Sequence, residues 1–190
     1  MQAFKLYLQQ FPNYIPEVFD AVLPFLSSRS LSPGEYFLRE GKRCNEVALI
    51  VKGMMRLYYL ADGKEVTNCF CREGSLSTSY TSLITKAPSE VAIQAVEPTD
   101  IITLSADSLD RLYDTSPFWQ QLGRMAAQNE LIINQRHNRF LRHVSATDRY
   151  KQVLTEDAEL LQRVPLNYLA TYLQVSPETL SRIRKKLSRT

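Results

Sequence analysis

The sequence predicts an α+β chain: an N-terminal antiparallel β-roll (a jelly roll) with flanking helices, a long helix suited to dimerisation, and a C-terminal helix-turn-helix. Three observations point there. Residues 36–71 and 91–104 hold short runs rich in Val, Ile, Tyr and Phe, separated by Gly- and Pro-containing turns, as in a rolled antiparallel sheet. Beyond Ser105 the apolar spacing changes to the 3.6-residue period of a helix. Positive charge then gathers at the end, where residues 131–190 hold 11 of the 23 Lys and Arg but 5 of the 20 Asp and Glu. These divisions suggest a β domain over 1–115, a linker helix over 116–144 and a small helical domain over 145–190.

The elements follow in order. From Phe4 to Leu26, Pro12, Pro16 and Pro24 interrupt the helical spacing, so short helices are expected. Strands are expected near Tyr36–Arg39, Val47–Val51, Met54–Tyr59 and Val66–Cys71. Asp62-Gly63 is a hairpin signal because Gly63 accepts positive φ at little steric cost. Pro33-Gly34 and Lys52-Gly53 mark two more turns. The Ser/Thr-rich segment Ser75–Ser89 reads as a loop, or as the wall of a pocket for a small neutral ligand. Val91–Val96 and Asp100–Leu104 read as strands, and Ala106–Asp114 as a helix capped by Ser105.

Ser116-Pro117 opens the long helix, serine being a good cap and proline the favoured first residue. It runs to about His143, with Leu122, Met125, Ala126, Ile132, Ile133 and Phe140 placing much of its apolar surface on one side. At ~26 residues it would be about 39 Å long, which suits packing along a sheet or pairing with a copy of itself. Asn129 and Arg136 interrupt the stripe. ATDRYKQVLTEDAELLQR supplies a further helix, capped by Thr147 or Ser145.

Composition narrows the function classes. Hydrophobic residues make up 44% and charged residues 23% of 190, as in a globular protein. No run approaches the ~20 apolar residues of a membrane span, and MQAFKLYLQQFPN lacks a secretory pattern. A cytoplasmic protein with no membrane partner is expected. Cys44, Cys69 and Cys71 are odd in number and form no CxxC pair, which argues against disulfide scaffolding and structural zinc. Cys69 and Cys71 read as small residues of a half-buried strand. His137 and His143 are six apart, so they do not share a helix face for a metal. No Ser–His–Asp or paired-carboxylate pattern is recognisable, and no enzyme is expected.

The last thirty residues carry the functional signal. Leu166, Leu169, Ala170 and Leu173 follow helical spacing, and Gln174-Val175-Ser176 leaves room only for a sharp turn. Ser176 caps the next helix, Pro177 starts it, and Glu178 sits at the positive end of its dipole. Leu180, Ile183 and Leu187 must pack inward, so Glu178, Ser181, Arg182 and Lys185 share the outer face. In a DNA major groove Arg182 can bond guanine O6 and N7, and Glu178 can accept from cytosine N4. Ser181 can reach a base or a phosphate. Arg184, Lys185, Lys186 and Arg189, with Ser176 and Thr179, suit phosphates.

Over nearly its full length the chain resembles the CRP/FNR family of bacterial transcription regulators. The resemblance is strongest in VPLNYLATYLQVSPETLSRIRKKL, whose E-T-L-S-R core is similar to the branch that reads bases with Glu, Ser and Arg, here Glu178, Ser181 and Arg182. PGEYFLREGKRCNEVALIVKGMMRLYYLADGKEV is similar to the first half of the family's cyclic-nucleotide-binding β-roll, including turn glycines Gly34, Gly41 and Gly53. The resemblance implies a homodimer on a near-palindromic double-stranded DNA site, with RNA polymerase as a further partner.

Two departures stand out. Nucleotide-binding members place a Gly-Glu pair against the ribose and an Arg against the cyclic phosphate. Here Thr78-Ser79 stand near the first and Ser89-Glu90 near the second, with Lys86 the one cation in the segment. A glutamate there repels phosphate, so a cyclic nucleotide is not expected in the usual mode and the effector is left unassigned. Thr78, Ser79, Ser89 and Glu90 are instead candidates for another ligand's pocket. The given chain also stops just after the last helix, without a following β-wing, which would shift phosphate contacts onto Arg149, Lys151 and the last helix.

Overall fold

The computed structural model describes residues 1–187. Helices α1 (Gln2–Leu8) and α2 (Pro16–Val22) lead through a 3-10 turn (Leu23–Phe25) into β1 (Leu26–Leu31). Then come β2 (Tyr36–Leu38), β3 (Glu46–Lys52), β4 (Met54–Ala61), β5 (Lys64–Arg72) and β6 (Leu76–Ser77). Helix α3 (Tyr80–Thr85) precedes β7 (Ala92–Ala95) and β8 (Thr99–Ser105). The rest is helical: α4 (Ala106–Thr115), α5 (Pro117–His143), α6 (Ala146–Glu156), α7 (Ala158–Arg163), α8 (Leu166–Tyr172) and α9 (Pro177–Leu187). The expected β-roll with flanking helices, one of them long, is what the chain forms.

The chain packs as two units. One joins Met1–Leu57 with Phe70–Asn129, and the other joins Tyr58–Cys69 with residues from Glu130 onward.

The sheets are ordered β1-β8-β3-β6 and β2-β7-β4-β5, with residues 58–69 of β4, β5 and their turn counted in the second unit and the other strands in the first. β8 lies between β1 and β3, pairing Leu26 with Leu104 and Leu49 with Ile102. The two-residue period of a strand sends these side chains to one face. There they meet Phe4, Leu8, Val22, Leu109, Trp119 and Leu122 in a single buried core. At the β4–β5 turn Asp62 has φ 50° and Gly63 φ 74°, the paired positive values of a type I′ hairpin. Gly53 has φ 91°, and a Cβ there would collide with the Pro98 carbonyl oxygen and Thr99. Ser105 caps α4 by accepting from the Ser108 amide at 3.2 Å.

The first unit departs from expectation in two places. Leu26, expected at the end of the helical stretch, instead opens a strand over Leu26–Leu31, because β8 offers it a full antiparallel ladder. Its sequence LSSRSL buries only the two end leucines, so no alternation marks it. The expected loop Ser75–Ser89 instead holds β6 and α3, and it buries Ser77, Thr78, Ser79, Ser82 and Ser89.

In the second unit, Tyr150, Val153, Leu160, Val164, Leu169, Ala170, Leu173 and Leu180 are buried. Ser145, one of the two expected caps, accepts from the Asp148 amide at 3.2 Å. The single helix expected beyond it is two, because Asp157 leaves helical geometry at φ −152° and caps α7 through the Leu160 amide. Thr67 on β5 and Thr171 on α8 share a hydrogen bond of 2.7 Å. Among the described residues no helix is long and apolar enough to cross a membrane.

Candidate nucleic-acid interface

α8 ends in a Schellman turn. The Val175 amide donates to the Ala170 carbonyl at 3.0 Å and the Gln174 amide to that of Thr171 at 3.2 Å. Gln174 adopts φ 51°, the left-handed value usually given to glycine. This reversal brings α9 back at once, with Ser176 accepting from the Thr179 amide at 3.2 Å. Leu180 is fully buried and Ile183 nearly so, anchoring α9 by one side. Glu178, Ser181, Arg182 and Lys185 are therefore exposed together on the other, with Arg184 and Lys186 exposed at its flanks.

The exposed face is electrostatically prepared. The Glu178 carboxyl is held below its ordinary value, first by the Ser176 hydroxyl, then by its own backbone amide, with Arg182 adding attraction. It stays an acceptor at neutral pH, as pairing with a base amino group requires. Arg182 lies one turn further along, so both lie on one side of the helix. The basic side chains of α9's last turn are Arg184, Lys185 and Lys186.

The other candidates fall into distinct settings. Ser176 and Thr179 lie with their hydroxyls 3.2 Å apart at the cap. Arg189 lies outside the described residues. Lys151 is exposed and pairs with Asp148 at 3.4 Å. Arg149, expected to grip phosphate, is corrected: it is buried, 9% exposed, and its Nη1 donates to the Leu141 carbonyl at 2.9 Å. That carbonyl belongs to the last turn of α5, where helix partners run out, and the guanidinium replaces them.

In the β-roll, Thr78, Ser79 and Ser89 are buried, whereas Glu90 is exposed. Ser89 Oγ donates to Ser79 Oγ at 2.9 Å, and Thr78 Oγ1 donates to the Glu46 carbonyl at 3.0 Å beside Cys44 Sγ. Lys86 pairs with Asp110 at 3.3 Å on the surface. Sequence reasoning missed Arg56, which is 1% exposed on β4. Its Nε and Nη2 donate to Gln94 Oε1 at 3.1 and 2.7 Å, and Gln94 in turn donates to the Gly34 carbonyl. The available signal was an arginine inside the apolar run MMRLYY.

Comparisons with known proteins bear on both regions. Residues 28–116 match the model of the cyclic nucleotide-binding domain. No characterised protein sequence matches the chain significantly. FixK2 of Bradyrhizobium japonicum superposes with a TM-score of 0.73 at 20% identity, over 86% of this chain and 85% of its own. The c-di-GMP-responsive regulator CLP of Xanthomonas campestris gives 0.76 at 18% identity, over 92% of each chain. A protein of Eubacterium rectale described as a CRP/FNR-family regulator gives 0.78 at 16% identity, over 95% of this chain and 88% of its own. The fold is that of the CRP/FNR regulators. Within the CRP/FNR fold, the domain match covers the β-roll and leaves α5 to α9 to the structural likeness.

Proposed function

We propose that the chain is a homodimeric, sequence-specific DNA-binding transcription regulator. The observation that carries this reading is the solvent-facing trio Glu178, Ser181 and Arg182 on a helix that is capped, tightly turned and anchored by Leu180. Dimerisation draws support from α5, where Leu131, Ile132 and Ile133 are 59%, 47% and 44% exposed. Burying the exposed half of such a side chain against a copy would contribute about 1 kcal/mol each. Two copies of α9 would then enter successive major grooves about 34 Å apart on a near-palindromic site. The cytoplasmic setting and contact with RNA polymerase belong to the same reading.

On this reading the β-roll does not hold a cyclic nucleotide in the usual way. A cyclic phosphate needs a cation at the Ser89-Glu90 position, and the region offers mutually bonded hydroxyls and an exposed carboxylate. The test is a mobility shift on DNA from upstream of the gene. Arg182→Ala should cost about 1–3 kcal/mol and relax preference at one base pair, while Lys185→Ala weakens all sequences alike. Absence of all DNA affinity at low salt would instead favour a protein-interaction or ligand-binding role, since the electrostatic attraction survives loss of specificity.

A further inference from the structure

α5 and α8 are joined by three aromatic rings. His137 stacks on Phe140 with centroids 6.1 Å apart and on Tyr172 at 5.3 Å, with interplanar angles of 26° and 24°. Phe140 and Tyr172 close the triangle at 6.0 Å. Beside the imidazole lies a cavity of about 240 Å³, lined also by Tyr59, Thr67, Asn68, Asn138 and Gln174, large enough to admit water. The Thr67–Thr171 hydrogen bond is the second joint holding α8 here.

Among the described residues, the groups lining the cavity beside the ring are uncharged. The β4–β5 hairpin contributes Tyr59, Thr67 and Asn68, the turn after α8 contributes Gln174, and α8 contributes Tyr172. One turn away on α5 lie Ile133, Asn134, Phe140 and Leu141. Burial foremost, then Cys69, Asp157 and Glu156, pushes the Tyr172 phenol up to about 12, so it is neutral across the physiological range. Among the described residues, Asp157 and Glu156 are the carboxylates that act on the cluster, and they do so through Tyr172.

We propose that the His137–Phe140–Tyr172 cluster is an acid-sensitive latch: proton uptake by His137 opens the packing of α8 on α5 and, given the DNA-binding reading above, lowers affinity for DNA. The ring faces would attract an imidazolium. Against that, the half-buried cation would give up part of its hydration with, among the described residues, no carboxylate in contact, and burial accordingly lowers the His137 pKa below 6.5. The sign follows. An opened His137 takes its proton near the ordinary value of 6.5, a closed one only at lower pH. The latch is at full strength above 6.5 and weakens as pH falls from there to the closed-state value, by at most tenfold per pH unit.

The experiment uses the full chain from about pH 5 to 8, the span over which histidine titrates. α8 amide exchange, corrected for its intrinsic pH dependence, is measured without DNA, and affinity is measured with it. Since the chain has 2 histidines, His137→Phe identifies the imidazole resonance by its loss. Wild type should show faster α8 exchange and weaker DNA binding below pH 6.5. His137→Phe, which keeps a ring but cannot take a proton, should be flat. His137→Gln, which loses the stack, should exchange fast at every pH. Equal acid sensitivity in wild type and His137→Phe, or a flat wild type, overturns the latch. Acid-dependent exchange in a chain that binds no DNA at any pH sustains the latch and sinks the regulator reading instead.

Discussion

Arg149→Ala separates a structural arginine from a DNA contact. The side chain is 9% exposed and donates to the Leu141 carbonyl at 2.9 Å. A charge-assisted bond of this kind contributes about 1.5–3 kcal/mol, and burial of the stem about 2 kcal/mol more at ~0.8 per methylene. Removing a desolvated charge offsets part of this, leaving an expected destabilisation of about 2–4 kcal/mol. Urea unfolding followed by far-UV circular dichroism measures it, since the single tryptophan, Trp119, belongs to the other unit. Affinity for DNA should keep its salt dependence. A phosphate contact would instead remove about 0.9 per subunit from the slope of log K against log salt. Unchanged stability together with that smaller slope would refute the buried placement of Arg149.

Other substitutions probe other elements. Gln174→Gly should stabilise by about 0.5–1 kcal/mol, because relief of the left-handed backbone outweighs the added freedom of the unfolded chain; urea midpoints read it out. Gly123→Ala places a Cβ 2.7–2.8 Å from the Tyr113 ring. Overpacking of about 1–3 kcal/mol then exceeds the ~1 kcal/mol gained in helix propensity, and the loss should vanish in a Tyr113→Leu background. Ile132→Lys, at a 47% exposed position, should leave the monomer folded and shift sedimentation from dimer to monomer.

Legibility in the sequence tracked locality. Ser105, Ser145 and Ser176 cap helices through bonds three residues long, so a short window contains the whole cause. Asp62-Gly63 specifies its hairpin for the same reason. What was missed depends on distant partners. β1 is a strand because β8, more than seventy residues later, supplies its ladder. Arg56 is buried because Gln94 receives it, and Arg149, though only eight residues from its partner, because the chain folds back across the end of α5 onto the Leu141 carbonyl. The apolar stripe expected on α5 is divided: Leu122 enters the core, while Ile132 and Ile133 remain exposed. Spacing shows that such residues share a side, not what will cover it.

The tip of the β4–β5 hairpin, residues 58–69, packs with the chain's last third although it lies in the middle of the sequence. Anyone building a chimaera with another chain of this fold therefore faces a two-piece graft. An insert running from Glu130 onward would arrive without Thr67, leaving Thr171 no hydroxyl to meet and the wall beside His137 missing. Carried together, hairpin tip and helices would transplant as a set. Carried apart, each would be an orphan.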